Sequence, residues 1–301
     1  MKRFVIACVL VAVLAGCQTF APRAARPVGA AVPSAGVFDN HEQVWAAGEN
    51  ASPVAAPHLR VTILPTDKRD WTLWQVHLDG TQTSDAIWAM REEVGAHAGL
   101  EPHRSLVAAP GMGKDFDPAQ WAPLDACALR ADTSGHGYRG DAASCMVLAP
   151  GVGAQMALLP LAIEQSGEWL HVRLISDQAR GADAREDLRR VQEFSGWAAI
   201  NGAGAKATAE NRDWHMDRKI RVENEGGRYR LHWRDGSASG YTLGLDRLTY
   251  RDGNVPVLKL SLIEDASGQV LAYAWANPEA TRIGLNLGWV QIGLDRATPA
   301  P

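Results

Sequence analysis

Long apolar runs are almost absent from this chain of 301 residues. One uninterrupted segment, Phe4 to Leu14, stands near the start, and its eleven residues fall well short of the ~20 a helix needs to cross a bilayer. Cysteine is scarce at four copies, and phenylalanine and tyrosine at five each. The nine histidines include no His-Glu-x-x-His, and no cysteine pair stands at zinc spacing. The nearest approach is His97 with His103, across Gly99 and Pro102, so no metal site is expected. Reaction motifs are incomplete. Gly111-Met112-Gly113-Lys114 is followed by Asp115 where a phosphate loop needs Ser or Thr, and Gly202-Ala203-Gly204 lacks the third glycine of a dinucleotide fingerprint. Gly236-Ser237-Ala238-Ser239-Gly240 has the wrong spacing for a nucleophile elbow. The acid pairs Glu92/Glu93 and Asp115/Asp117 read as solvated side chains rather than an acid–base couple. A formal charge of −4 with no basic stripe excludes nucleic acid as a partner. No cofactor is implied.

What is there begins at the N-terminus. Lys2-Arg3, the apolar segment and Leu14-Ala15-Gly16-Cys17 follow the order of an export signal. Leu-Ala-Gly-Cys resembles the bacterial lipobox, which implies cleavage before Cys17, acylation of its thiol and of the new amino terminus, and anchoring by several acyl chains at about 0.8 kcal/mol per buried methylene. Gln18 stands where an inner-membrane retention signal would place Asp, so the resemblance implies a palmitate-type anchor on the periplasmic side of the outer membrane. Residues 1–16 are therefore read as a signal peptide and 17–36 as an acylated tether, rich in Pro, Ala, Gly, Ser and Arg, each extended residue adding about 3.1 Å. Cys8 leaves with the signal. With Cys17 acylated, Cys127 and Cys145 remain, and an oxidising compartment favours a disulfide contributing on the order of 3 kcal/mol.

Beyond the tether, Asp39 with Glu42 three places later predicts a short helix over Asn40 to Ala47, ended by Gly48, with Phe38, Val44 and Trp45 on its apolar side. Strands follow. Leu59, Val61 and Ile63 alternate with polar residues, Trp71 to Leu78 pairs with them, and Ile87 to Ala98 is read as strand. Asp117-Pro118 predicts one helical turn with an acidic cap. Cys127 to Ala131 and Cys145 to Leu148 are read as neighbouring strands, and Leu158 to Gln165 with Glu168 to Ile175 as a hairpin around Ser166-Gly167. Residues 179–192 are so charged that they read as a linker or surface helix, separating a region over 37–178 from a second β region over 193–301. The latter holds hairpins around Gly226-Gly227 and Ser267-Gly268 and a last strand, Ile283 to Leu294, with Gly284, Asn286 and Gly288 on one face. Those glycines permit a close approach by a ligand or, more ordinarily, by another strand.

Tryptophan is over-used, with eleven copies. Trp71, Trp74, Trp88 and Trp169 fall in predicted strands, where they either line a pocket or fill the core, the commoner use. A binding role requires a tryptophan-lined cavity of roughly 300 Å³ or more.

Several of these features share an order with one known family. Gly36-Val37-Phe38-Asp39-Asn40-His41-Glu42-Gln43 is similar to the Gly-x-Phe-x-Asn-x-x-Gln opening of the T-type phycobiliprotein chromophore lyases, the CpcT/CpeT family. A strand ending in Pro65, the aromatic strand Trp71 to Gln75, Phe116-Asp117-Pro118-Ala119 ahead of Cys127 and Tyr138-Arg139-Gly140 ahead of Cys145 follow in the family's order. The resemblance covers about Val37 to Ile175. It implies a lipocalin-like, calyx-shaped antiparallel β-barrel that binds a linear tetrapyrrole, with the cysteine pair tying neighbouring strands. Trp88-Ala89-Met90-Arg91 stands in for the family's Pro-Tyr-Arg-Gln-Arg strand, which puts Arg91 among the candidate lining residues, and the terminal Ser-x-Asp-Arg-Gly is replaced by His171-Val172-Arg173. The expectation is an all-β, monomeric, outer-membrane lipoprotein that binds a small apolar ligand or an envelope partner without catalysis. The alternatives are a bilin-lyase-like helper and a structural or assembly protein with a filled barrel.

Overall fold

The computed structural model describes residues 32–49, 56–79, 85–94, 98–132, 137–148, 153–181, 184–250 and 254–298. The signal, Cys17, most of the tether and His97 lie outside the described residues. Alternating apolar residues build the first module: β1 (Gly36–Asp39), α1 (His41–Glu49), β2 (Leu59–Pro65), β3 (Trp71–Leu78), β4 (Asp85–Glu93), β5 (Gly99–Ser105), β6 (Trp121–Pro123), β7 (Leu129–Ala131), β8 (Gly137–Arg139), α2 (Ala142–Leu148), β9 (Pro160–Ser166), β10 (Trp169–Leu174) and β11 (Glu186–Arg190). Ten of these strands close an antiparallel barrel, running β1 to β5, then β7 to β11, with β11 paired back to β1; β6 is a short addition to β5. Their inward faces meet in one apolar cluster that includes Phe38, Ile63, Trp74, Trp88, Met90, Leu129, Leu170 and Leu188.

Closure of this barrel corrects two expectations. The charged stretch is not a linker or helix, because β11 pairs with both β10 and β1, so the first module runs through Arg190. Its charges are tolerated because they are paired: Glu186 accepts from Asn40 Nδ2 at 2.9 Å and from Arg180, while Leu188 supplies the inward apolar contact. The last residues of the expected tether are also part of the fold. Gly36 opens β1, the Ser34 amide donates to Gln165 at 2.7 Å, and Arg190 donates to the Ala35 carbonyl at 2.8 Å.

The opening helix begins one residue later than expected, with the Asp39 carboxylate accepting the His41 amide at 2.8 Å, and Gly48 does not end it, because the helix runs on to Glu49. Phe38 belongs to β1 and the barrel core, not to the helix. The turn at Asp117 forms as read, its carboxylate accepting the Ala119 amide. Cys127 and Cys145 are joined, but not between neighbouring strands: Cys127 ends a 3₁₀ turn ahead of β7, and Cys145 lies on α2, where Asp141 caps the helix by accepting from the Ala143 amide and the Ser144 hydroxyl.

The second module is an eight-strand meander: β12 (Glu193–Asn201), β13 (Trp214–Glu223), β14 (Glu225–His232), β15 (Ala238–Tyr250), β16 (Val255–Glu264), β17 (Val270–Ala276), β18 (Arg282–Asn286) and β19 (Val290–Arg296). It is divided into two four-stranded sheets, β13-β12-β19-β18 and β14-β15-β16-β17, which share a core of Phe194, Ile220, Leu231, Leu243, Leu260, Ile292 and their neighbours. The β16–β17 hairpin forms as expected. The hairpin around Gly226-Gly227 does not: β13 pairs with β12 and β14 with β15, so the chain crosses between sheets at Asn224. The last strand is also two, folded into a hairpin at Gly288, whose φ is +83°. Gly284 faces Gly293 across that hairpin, so the close approach is strand on strand.

Candidate functional site

The expected pocket residues are scattered by strand periodicity. Side chains an odd number of places apart lie on opposite sheet faces, so Trp74 and Trp88 point inward while Trp71 and Arg91 point out. Trp74 and Trp88 are register partners with at most 1% of their surface exposed. Trp88 Nε1 donates to the Leu158 carbonyl at 3.3 Å and Trp74 Nε1 to Thr72 Oγ1 at 3.1 Å. A ligand-sized void would leave open surface on the side chains around it, and Phe38, Leu59, Val61, Leu129, Leu170 and Val172 have none. The barrel is filled by its own side chains.

Outside the wall, Trp71 packs edge-on against His103, lies near Phe116, and has the Arg91 guanidinium 6.0 Å from its ring centre. Together with Leu73, Ala89, Phe116 and Trp121 it makes a satellite core beneath the segment 110–121. Burial holds His103 below the usual imidazole range. Trp169 is on another part of the wall, stacked against His171 and covered by the Arg189 guanidinium.

The wall also holds a cleft of about 290 Å³ between β8, β9 and β10, lined by Arg139, Glu164, His171, Arg173 and Arg185 among others. It contains no tryptophan. Asp187 accepts from His171 at 2.5 Å and from Arg185 at 3.1 Å, and Arg139 stands 4.0 Å from Asp132, so these three cations are met by local carboxylates, while Arg173 donates to the Gly181 carbonyl at 3.3 Å. Its polarity does not match the expected apolar site.

Two further constellations emerge from the three-dimensional arrangement. The first is a belt of charge joining the modules. Arg189, 4% exposed, donates from Nε and Nη2 to Glu225 at 2.8 and 2.9 Å, and also reaches Glu42 and the Arg247 carbonyl. Arg60 donates to Glu223 at 2.7 Å, Arg247 to Glu168 at 2.9 Å, and the His41 ring meets Asp246 at 3.0 Å. Burial pushes the Glu225 carboxyl up to about 8 against the opposing pull of Arg189. Asp246 is held below the usual carboxylate range, because hydrogen bonding to His41 and the Arg228 charge outweigh its burial.

The second is a row of aromatic rings, Trp45–Tyr250–Trp275–Tyr273, with successive centroids 5.5, 5.4 and 5.3 Å apart. It starts on α1 and ends on β17, whose Tyr273 and Trp275 are 53% and 56% exposed. Strand patterning places Trp275 but says nothing of its surroundings; the available signal was Val270-Leu271-Ala272-Tyr273-Ala274-Trp275-Ala276, a strand with no charge on either face.

Among the described residues no cluster of potential metal ligands occurs and no helix is long and apolar enough to cross a membrane. No family model, curated protein or solved structure matches this chain.

Proposed function

We propose that this is an acylated envelope lipoprotein, anchored through Cys17 on the periplasmic side of the outer membrane, whose two β modules act without catalysis by engaging an envelope partner through their outer surfaces. The observation that carries this reading is the filled barrel. Trp74, Trp88, Phe38 and Met90 occupy the space a calyx would give to a small apolar ligand or a tetrapyrrole. The same packing weighs against the bilin-lyase-like alternative and brings the proposal close to a structural or assembly role. The Cys127–Cys145 disulfide accords with an oxidising compartment. The lipobox resemblance supplies the anchor, and the composition of residues 17–31 suits a tether.

Two measurements on one preparation test it. Labelled palmitate is expected to enter the wild-type protein and not Cys17→Ser, while mixing the purified protein with free bilins is expected to leave their visible spectrum unchanged. Label retained in Cys17→Ser overturns the anchor. A red-shifted visible band overturns the filled-barrel reading in favour of a chromophore-handling protein.

A further inference from the structure

An open sheet edge recruits other chains unless charge, shortness or irregularity blunts it. Three of the four edges of the second module are protected in this way. β13 carries Asp217, Arg218, Lys219 and Arg221, β14 carries Arg228 and Arg230 and two register shifts, and β18 is five residues long and begins with Arg282. β17 has no charged residue along its length. Its outward face presents Leu271, Tyr273 and Trp275, 41%, 53% and 56% exposed, with Val270 beside them. Alanines 272, 274 and 276 take the opposite face, so the large side chains are gathered outside rather than in the core.

The neighbours define what this face fits. Lys259, the register partner of Trp275, places its ammonium group 5.4 Å from the Tyr273 ring centre. A sugar site would need converging hydroxyl, amide and carboxylate groups around the rings. Tyr273 and Trp275 stand opposite Ser261 and Lys259, and Trp275 packs on Tyr250; Ser261 is only 2% exposed, so the face offers rings, the lysine and the flanking Val270 and Leu271 rather than a set of converging polar groups. Amphipathic rings beside aliphatic side chains, with a lysine ammonium lying over one of the rings, are a composition that settles at the headgroup level of a bilayer.

The N-terminal end of the described chain lies toward the same part of the body. Ser34 donates to Gln165 at 2.7 Å, and the Gln165 amide donates to the Gly167 carbonyl at 3.4 Å. The adjacent Glu168 binds Arg247, which also binds Glu279, three residues beyond the end of β17. The start of the described chain is therefore linked to the end of the body to which β17 delivers Trp275. A chain held by an acyl group at Cys17 would keep that end beside the membrane, where even weak adsorption is favoured by the high effective concentration of a tethered surface.

We propose that the Leu271–Tyr273–Trp275 face, with Lys259, docks on the phospholipid headgroup layer and fixes the orientation of the body on its membrane. This rests on the lipoprotein reading of Cys17, but its test does not use the anchor. The full chain carrying Cys17→Ser, which has no acylation site, is mixed with vesicles of phosphatidylethanolamine and phosphatidylglycerol and sedimented. It is expected to partition with the vesicles, and Tyr273→Ser/Trp275→Ser in the same background is expected to bind about tenfold more weakly, as removal of two interfacial rings predicts. Both rings are more than half exposed, so an unchanged circular dichroism spectrum is expected to accompany the loss. Cys17→Ser protein remaining in the supernatant, or double-variant binding equal to its parent, overturns the proposal. A dimer mass abolished by the double variant, without vesicle binding, assigns the face to a second copy and overturns it as well. Failure of the anchor reading is seen separately, as a wild-type N-terminal peptide lacking acyl mass.

Discussion

His58 sits between a buried carboxylate and an exposed one. Its Nε2 is 2.8 Å from Asp39 and its Nδ1 2.9 Å from Asp79, so both ring nitrogens act as donors only in the imidazolium form. Hydrogen bonding to Asp39 is the largest cause of a pKa raised to about 9; burial opposes it, and Asp79 adds to it. Because the folded value lies above the unfolded one of 6.5, the stability this residue contributes is fully present below pH 6.5 and lost as pH rises through about 9. Glu225, pushed up to about 8, acts in the same direction, so the His58 share is a difference between two proteins. Urea midpoints measured from pH 6.5 to above 9 are expected to fall in the wild type and to fall less in His58→Gln. Equal falls would remove His58 as the cause. None of this was legible in the sequence, since Asp39, His58 and Asp79 are brought together by the β1–β2 and β2–β3 pairings. The tryptophan arrangement was more accessible: Trp71 and Trp74, or Trp88 and Arg91, are three apart and cannot share a strand face. The two-residue period of a strand is enough by itself to separate the core pair Trp74/Trp88 from the outer pair Trp71/Arg91.

At the scale of elements, apolar alternation made β2, β3, β9 and β10 readable, and the Ser-Gly turns set two hairpins. What escaped was decided by partners distant in sequence. β11 looks like a solvated segment because Glu186 and Arg189 are charged, yet Glu186 is met by Asn40 from the opposite end of the module and Arg189 by Glu225 from the other module. The segment Cys145 to Leu148 carries too few residues for its period to distinguish strand from helix, and the Asp141 cap decides for helix. The disulfide was legible by elimination, and its context gives it a definite task. It pins α2 and the 3₁₀ turn ahead of the three-residue strand β7, where the barrel wall has few ladder hydrogen bonds. A closure of 18 residues is worth on the order of 3 kcal/mol. Reduction and alkylation are expected to lower the urea midpoint correspondingly at unchanged pH, read by far-ultraviolet circular dichroism. An unchanged midpoint would show that the β7–β8 wall holds without the bond.

At the scale of the whole molecule, the modules meet through charge and the Trp45–Tyr250 ring contact rather than through a shared apolar core. The barrel cluster and the sandwich cluster have no residue in common, and between them lie Arg189–Glu225, Arg60–Glu223, Arg247–Glu168 and His41–Asp246. Gly226 approaches the His41 ring so closely that a Cβ there would stand 2.5 Å from it, so this contact admits little slippage. Arg189 is the centre of the belt, because it compensates the buried Glu225 while binding α1 through Glu42. Removing one partner of a buried pair costs about 3–5 kcal/mol, because the remaining charge is left without compensation. Arg189→Met is therefore expected to split a single calorimetric unfolding transition into two, one for each module. The carboxyl left behind can escape its penalty by taking up a proton, and burial already favours that form. The cost of Arg189→Met should then be small at pH 6 and grow as pH rises past about 8, the value set by Glu225 itself. Arg189→Met/Glu225→Gln, which removes the titrating carboxyl at 225 and leaves only the loss of the contacts to Glu42 and the Arg247 carbonyl, should show a cost that does not change over that range. A pH-independent cost in the single variant, or one undivided transition at every pH, would mean that the modules are coupled by the remaining pairs and not by this one.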